Sequence, residues 1–217
     1  MTGPGVPRAV AEPGGPRPDG PWVWSRAGRA PGTARCHGLP QAVLFDRDGT
    51  LVVDVPYNGD PERVEAMPTA RRALRLLRAS GVAAGVVSNQ SGVGRGLLTR
   101  RQVEAVADRV DTLLGPFALW AVCPHRPEDG CGCRKPAPGL VLAACAALGA
   151  SPLHTVVIGD IGADLSAARS AGATGVLVPT AVTRPEEVRD AAGHTARDLL
   201  AAVRLVLTPR HPGGEPW

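Results

Sequence analysis

The sequence predicts an α/β fold: a Rossmann-like parallel sheet with helices on both faces, a metal-binding loop and no large cap domain. Three observations predict it. Short apolar runs alternate with helix-period segments from residue 41 to 207, which implies parallel strands joined by right-handed crossovers. The composition is 44% hydrophobic but only 3% aromatic, so Ala, Val and Leu must fill the core, as suits helices packed on a sheet. Finally, each apolar run ends in polar residues, and open α/β sheets bind ligands beyond the carboxyl ends of their strands.

In chain order, residues 1–38 contain eight Gly and seven Pro without apolar periodicity, so they read as a disordered tail. Trp22 and Trp24 fall inside it as isolated aromatics. The folded unit then runs over 39–207. Ala42–Phe45 is a buried strand. Thr69–Ser80 carries Ala70, Ala73, Leu74 and Leu77 at helical spacing and stops at Gly81. Val82–Val87 is the second strand of this unit, and Thr99 with Gln102 forms a capping box opening a helix to about Leu114. Leu119–Val122 is a third strand and Gly139–Leu148 a helix. Thr155–Ile158 is a strand, Ala163–Ala171 a helix, Gly175–Val178 a strand and Thr195–Leu207 the last helix. Residues 208–217 read as a second flexible tail.

Composition excludes several functions. The 217 residues carry 24 basic and 20 acidic side chains, a net charge of +4, which speaks for solubility and not for nucleic acid binding. Lys135 is the only lysine, so no P-loop lysine exists. The N-terminus lacks an apolar signal segment, and the apolar stretch Gly139–Ala150 is too short to span a bilayer. A soluble, cytoplasmic monomer without membrane contact is expected. The five cysteines include three within eleven residues, Cys123, Cys131 and Cys133, beside His125. That crowding argues for a metal in a reducing compartment rather than a disulfide framework.

The strand ends carry the chemistry. Asp46 and Asp48 stand two residues apart after the first strand of the folded unit, before Gly49-Thr50. Paired carboxylates call for a cation or a shared proton. With Asp160 at another strand end they offer hard oxygen ligands suited to Mg²⁺. Turn capping by a D-x-D-G segment is the simpler alternative; Gly159-Asp160 and the lone lysine weigh against it. Ser88 and the Asn89-Gln90-Ser91-Gly92 turn offer a hydroxyl and backbone N–H groups, an uncharged phosphate cradle. Gly92, Gly94 and Gly96 do not complete a dinucleotide fingerprint, because Leu97 stands where the last glycine belongs. Lys135 survives in a chain that otherwise uses Arg, which marks a site needing a compact point charge. Cys123, His125, Cys131 and Cys133 are a tetrahedral Zn²⁺ set, expected to stiffen the loop that aims Arg134 and Lys135.

Together these residues resemble the haloacid dehalogenase (HAD) phosphohydrolase superfamily. Its four motifs match Asp46-x-Asp48-Gly49-Thr50, Ser88, Lys135 and Gly159-Asp160-x-x-x-Asp164. The Cys123-x-His125 … Cys131-x-Cys133-Arg134-Lys135-Pro136 segment narrows the resemblance to a zinc-containing, capless subgroup. That subgroup includes D-glycero-D-manno-heptose 1,7-bisphosphate 7-phosphatases and histidinol-phosphate phosphatases. The resemblance implies Asp46 as nucleophile, Asp48 as acid and base, and Ser88 and Lys135 on the phosphoryl oxygens. It implies Mg²⁺ on Asp46, the Asp48 carbonyl and Asp160, with Asp164 orienting its neighbours. Substrate contacts fall on Asp54, Tyr57, Ser88, Asn89, Gln90, Ser91, Arg134 and Lys135. Ile161 replaces a lysine common among the heptose enzymes. A phosphorylated sugar is the expected partner, favoured over histidinol phosphate by the surplus of Arg47, Arg95, Arg126 and Arg134 over nearby acids. A non-catalytic phosphate-binding protein is the alternative of another class, and both intact acids of the first motif argue against it.

Overall fold

Strands β1 (Trp22–Trp24), β2 (Ala42–Phe45), β3 (Ala83–Asn89), β4 (Leu119–Cys123), β5 (Thr155–Gly159) and β6 (Thr174–Leu177) form one sheet in the order β1-β4-β3-β2-β5-β6. The computed structural model describes residues 20–25, 38–191 and 193–209. All neighbours pair in parallel except β1, which lies antiparallel on β4. Strand β2 is central, in register with Ala83–Val86 on one side and Thr155–Ile158 on the other.

Pleating divides the core. Val43 and Phe45 face one way, with Val86, Trp120, Val122, Val156 and Ile158. They pack on α1 (Ala70–Ala79), α3 (Arg100–Leu114) and α7 (Leu199–Val206). Leu44, Val87, Leu119, Ala121 and Val157 face the other way, onto α4 (Gly139–Leu148) and α5 (Gly162–Ala171). Helix α1 buries Ala70, Ala73, Leu74 and Leu77, the stripe its periodicity predicts. Each fully buried Leu there contributes about 1.5–3 kcal/mol relative to exposure. Thr99 caps α3 as expected: its hydroxyl accepts from Gln102 N at 3.2 Å, and its own N–H donates to Gln102 Oε1 at 2.9 Å.

The composition-based tail needs one correction. Residues 22–24 are not structureless; they form β1, with Trp22 opposite Val122 and Trp24 opposite Trp120. The Trp24 and Trp120 rings stack at 6.1 Å, and the Arg100 guanidinium lies 5.0 Å over Trp22. A three-residue strand has no periodicity of its own, so only its partners reveal it. Residues 1–19, 26–37 and 210–217, Cys36 among them, lie outside the described residues. Two smaller differences concern the C-terminal third. The last helix begins at Leu199, not Thr195, because Asp198 caps it by accepting from Ala201 N at 2.8 Å. A short helix, α6 (Pro185–Asp190), precedes it.

Candidate active site

The carboxyl ends of β2, β3 and β5 bring the predicted polar residues together. Asp46 continues the β2 ladder, its N–H donating to Ile158 O at 2.9 Å. The chain then turns tightly: Leu51 N and Val52 N both donate to Arg47 O, and Gly49 N donates to Val52 O. Gly49 has φ +76°, and a Cβ there would collide with the Asp160 carboxylate. Glycine therefore lets the turn after Asp48 approach the Asp160 carboxylate. Gly159 has a similar role, since a Cβ on it would strike the Asp164 carboxylate.

Lys135 is the centre of the constellation. Its ammonium contacts Asp46 Oδ1 at 2.5 Å and Asp164 Oδ1 at 2.6 Å, and donates to Val87 O at 2.9 Å. Only 4% of the residue is exposed. Burial alone would push its ammonium toward neutrality, but Asp164 and Asp46 outweigh that and keep it charged. The carboxylates are too many for one lysine. Burial, reinforced by Asp164 and Asp48, raises Asp46 to about 8 against the pull of Lys135. Burial, then Asp164, raises Asp160 to about 7. Two buried carboxyls that ionise with difficulty are a donor set short of one cation, and hard oxygens at strand ends suit Mg²⁺. The position of Asp164 was not legible in the sequence as a direct partner of Lys135; fully buried, it anchors the ammonium from behind. Thr183, whose hydroxyl donates to Asp160 O at 2.6 Å, carried no sequence signal.

The second-motif residues divide by direction. Ser88 and Asn89 lie within β3, longer than its apolar run, and Ser91 opens the short helix α2 (Ser91–Gly94). The Asn89 side chain clasps Lys135: Oδ1 accepts from Lys135 N and Nδ2 donates to Lys135 O, both at 3.1 Å. Gln90 is likewise turned inward, its Nε2 donating to Asp48 Oδ2 at 3.0 Å and to Ser88 Oγ at 2.9 Å. Tyr57, half exposed, and the exposed Asp54 lie on the loop after the first motif. Burial, then the neighbouring Asp48, lifts the Asp54 carboxyl above its ordinary value, and Arg47 only partly offsets them.

Three thiols and an imidazole meet where β4 ends. Cys123 Sγ lies 3.3 Å from Cys133 Sγ, 3.7 Å from Cys131 Sγ and 3.5 Å from His125 Nδ1. Cys133 Sγ lies 3.6 Å from Cys131 Sγ and 3.3 Å from His125 Nδ1. Bond lengths of about 2.3 Å to sulfur and 2.0–2.1 Å to nitrogen around one tetrahedral ion give ligand separations close to these. The hydrogen bond from Cys133 draws the Cys123 thiol down to about 5 and pushes that of Cys133 up, so the cluster already favours a thiolate. Its loop leads directly into Arg134 and Lys135, and Gly139 at the start of α4 packs on Gly132 and Cys133 too closely for any side chain.

The four arginines counted as anion donors are not equivalent. Arg47 is buried on Asp48, through Nε to Oδ1 at 2.9 Å and Nη2 to Oδ2 at 2.7 Å. Arg126 is spent on Asp129, and Arg95 has a long contact to Glu128 at 3.6 Å. Arg134 keeps a buried Nη1 without a partner. A tally of charges along the chain cannot see these directions.

A model of HAD-hydrolase-like proteins matches residues 132–202. The D-glycero-β-D-manno-heptose-1,7-bisphosphate 7-phosphatase of Escherichia coli is 35% identical over 183 residues, covering 79% of this chain and 96% of the relative. The Salmonella typhi protein of that name is 34% identical, over 75% and 95%. In three dimensions the chain is similar to the D,D-heptose 1,7-bisphosphate phosphatase of B. bronchiseptica, solved with magnesium and phosphate. The TM-score is 0.68 at 28% identity, over 77% of this chain and 98% of that one.

Proposed function

The chain belongs to the HAD-like hydrolases and is a phosphatase, and from this we propose that it removes one phosphate from a small sugar bisphosphate, D-glycero-D-manno-heptose 1,7-bisphosphate in particular. The observation that carries the reading is the buried group of Asp46, Lys135, Asp160 and Asp164 beside Asp48 and Ser88. Asp46, the Asp48 carbonyl and Asp160 would hold Mg²⁺. The ion, when bound, offsets carboxylate charge and polarises the phosphoryl group. Asp46 attacks phosphorus while Asp48 protonates the departing sugar oxygen, giving an aspartyl phosphate. Asp48 then takes a proton from the water that hydrolyses it. Lys135 and the Ser88 hydroxyl meet the charge on the phosphoryl oxygens. Arg134, with its unpartnered nitrogen, suits the second phosphate. Comparing kcat/KM for heptose 1,7-bisphosphate and histidinol phosphate, with and without Mg²⁺, tests the reading; a preference for histidinol phosphate overturns the substrate.

The raised carboxyls make cation binding pH-dependent. Asp46 and Asp160 both ionise higher in the metal-free fold than in an unfolded chain. Their contribution to stability is therefore present at about pH 4 and lost as pH rises through about 8. A cation takes them ionised, so its binding strengthens over the same rise. Calorimetry should show Mg²⁺ binding at least about tenfold tighter at pH 8 than at pH 6, with proton release. An affinity flat between those values would contradict it.

The four soft ligands would hold one Zn²⁺ in a closed shell, a structural site. Metal analysis of protein purified without chelator should find one zinc per chain. Cys131→Ala should lower zinc content and cut activity by about tenfold or more through displacement of Lys135. Full activity in zinc-free protein would refute the structural role.

A further inference from the structure

Arg47 and Gln90 are buried, 2% and 5% exposed, and both point at Asp48. The Arg47 fork occupies both carboxylate oxygens, and Gln90 Nε2 adds a second donor to Oδ2. Two donors fill the usual accepting capacity of Oδ2, while Oδ1 accepts one and keeps a free site. The other Nε2 hydrogen goes to Ser88 Oγ. Ser88 thereby becomes an acceptor toward Gln90, and its single proton is left to donate elsewhere.

We propose that Arg47 and Gln90 are positioning residues. They hold Asp48 so that Oδ1 alone exchanges protons with the leaving group and the water, and Gln90 also directs the Ser88 proton to a phosphoryl oxygen. In the first step the Oδ1 proton passes to the ester oxygen as the P–O bond breaks and the Asp46–phosphorus bond forms. Negative charge appears on Asp48, where three fixed donors meet it. In the second step Oδ1 takes a proton from water as its oxygen bonds to phosphorus and the bond to Asp46 breaks. Two side chains turned onto Asp48 thus link the acid/base to the phosphate cradle. The inference rests on the acid/base reading of Asp48.

The test uses the full chain with Mg²⁺, a sugar phosphate, and p-nitrophenyl phosphate, whose leaving group departs without a proton. In Arg47→Lys, kcat/KM should fall about 100-fold on the sugar phosphate but less than about tenfold on the aryl ester, since only the former needs the acid. Gln90→Glu is nearly isosteric, so it carries the test should Arg47→Lys fail to melt cooperatively. Its introduced carboxyl repels Asp48 when ionised and regains a donor when protonated. Activity should therefore recover toward acid pH, unlike wild type. Equal losses on both esters in Arg47→Lys, or a wild-type pH profile in Gln90→Glu, would overturn the proposal. A wild-type protein inactive on both esters would instead refute the phosphatase reading itself.

Discussion

Replacing Asp46 by Asn is expected to reduce turnover by at least about 10⁴-fold, the range seen when a covalent nucleophile is removed. The amide has nearly the same shape but cannot form the acyl phosphate. Folding should survive and improve. Asp46 is buried beside Asp164 and Asp48, and its carboxyl is raised to about 8, chiefly by burial. Ionising it at neutral pH therefore costs stability, and Asn removes that cost. The metal-free variant should melt above wild type near pH 8, and the difference should shrink as pH falls and vanish below about pH 3, where the wild-type carboxyl is protonated in both states. Zinc content should not change, because the cysteine cluster stands apart from Asp46 in the contacts described. Turnover close to wild type, measured with Mg²⁺, would contradict the covalent route.

Lys135→Arg is the second large effect, although Arg serves at every other basic position of the chain. The ammonium sits within 2.9 Å of two carboxylates and a backbone carbonyl, almost wholly buried. A planar guanidinium is wider and would displace at least one of them. Turnover should drop by about 100-fold or more, the scale of losing one fixed charge-stabilising donor. Lys135→Met should instead show the electrostatic role in stability. It leaves buried carboxylates without their cation, a change that costs about 3–5 kcal/mol in comparable pairs. Denaturant melting of the metal-free variant measures this, and Mg²⁺ should recover part of the loss. Near-normal rates for Lys135→Arg would return the lone lysine to coincidence.

The two variants also separate what each acid does. Asp46 and Asp164 both hold Lys135, and Asp46 is raised chiefly by burial with Lys135 opposing it. Asp164 is wedged where Gly159 has no side chain. That position holds the ammonium from behind, which leaves Asp46 for the nucleophile role proposed above.

The sequence by itself determined the parallel α/β arrangement, because alternation of apolar runs with helical stripes is a local property that burial on a two-faced sheet preserves. It also placed the polar residues: Asp46, Ser88, Lys135 and Asp160 come together at one edge because parallel strands present their carboxyl ends together. The soft cluster was legible because four ligands within eleven residues need little beyond a loop to meet. Tertiary structure alone decided the rest. Strand β1 exists through Trp24 on Trp120 and a ladder on β4, partners about a hundred residues away along the chain. The directions of Arg47, Asn89, Gln90 and Arg126 depend on side chains that long-range pairing brings alongside, so residue type placed them near phosphate and geometry turned them onto Asp48, Lys135, Ser88 and Asp129. Local pattern records which faces are buried; hydrogen-bond direction is set only when separate strands close on one another, because a donor takes the nearest acceptor the packed fold supplies.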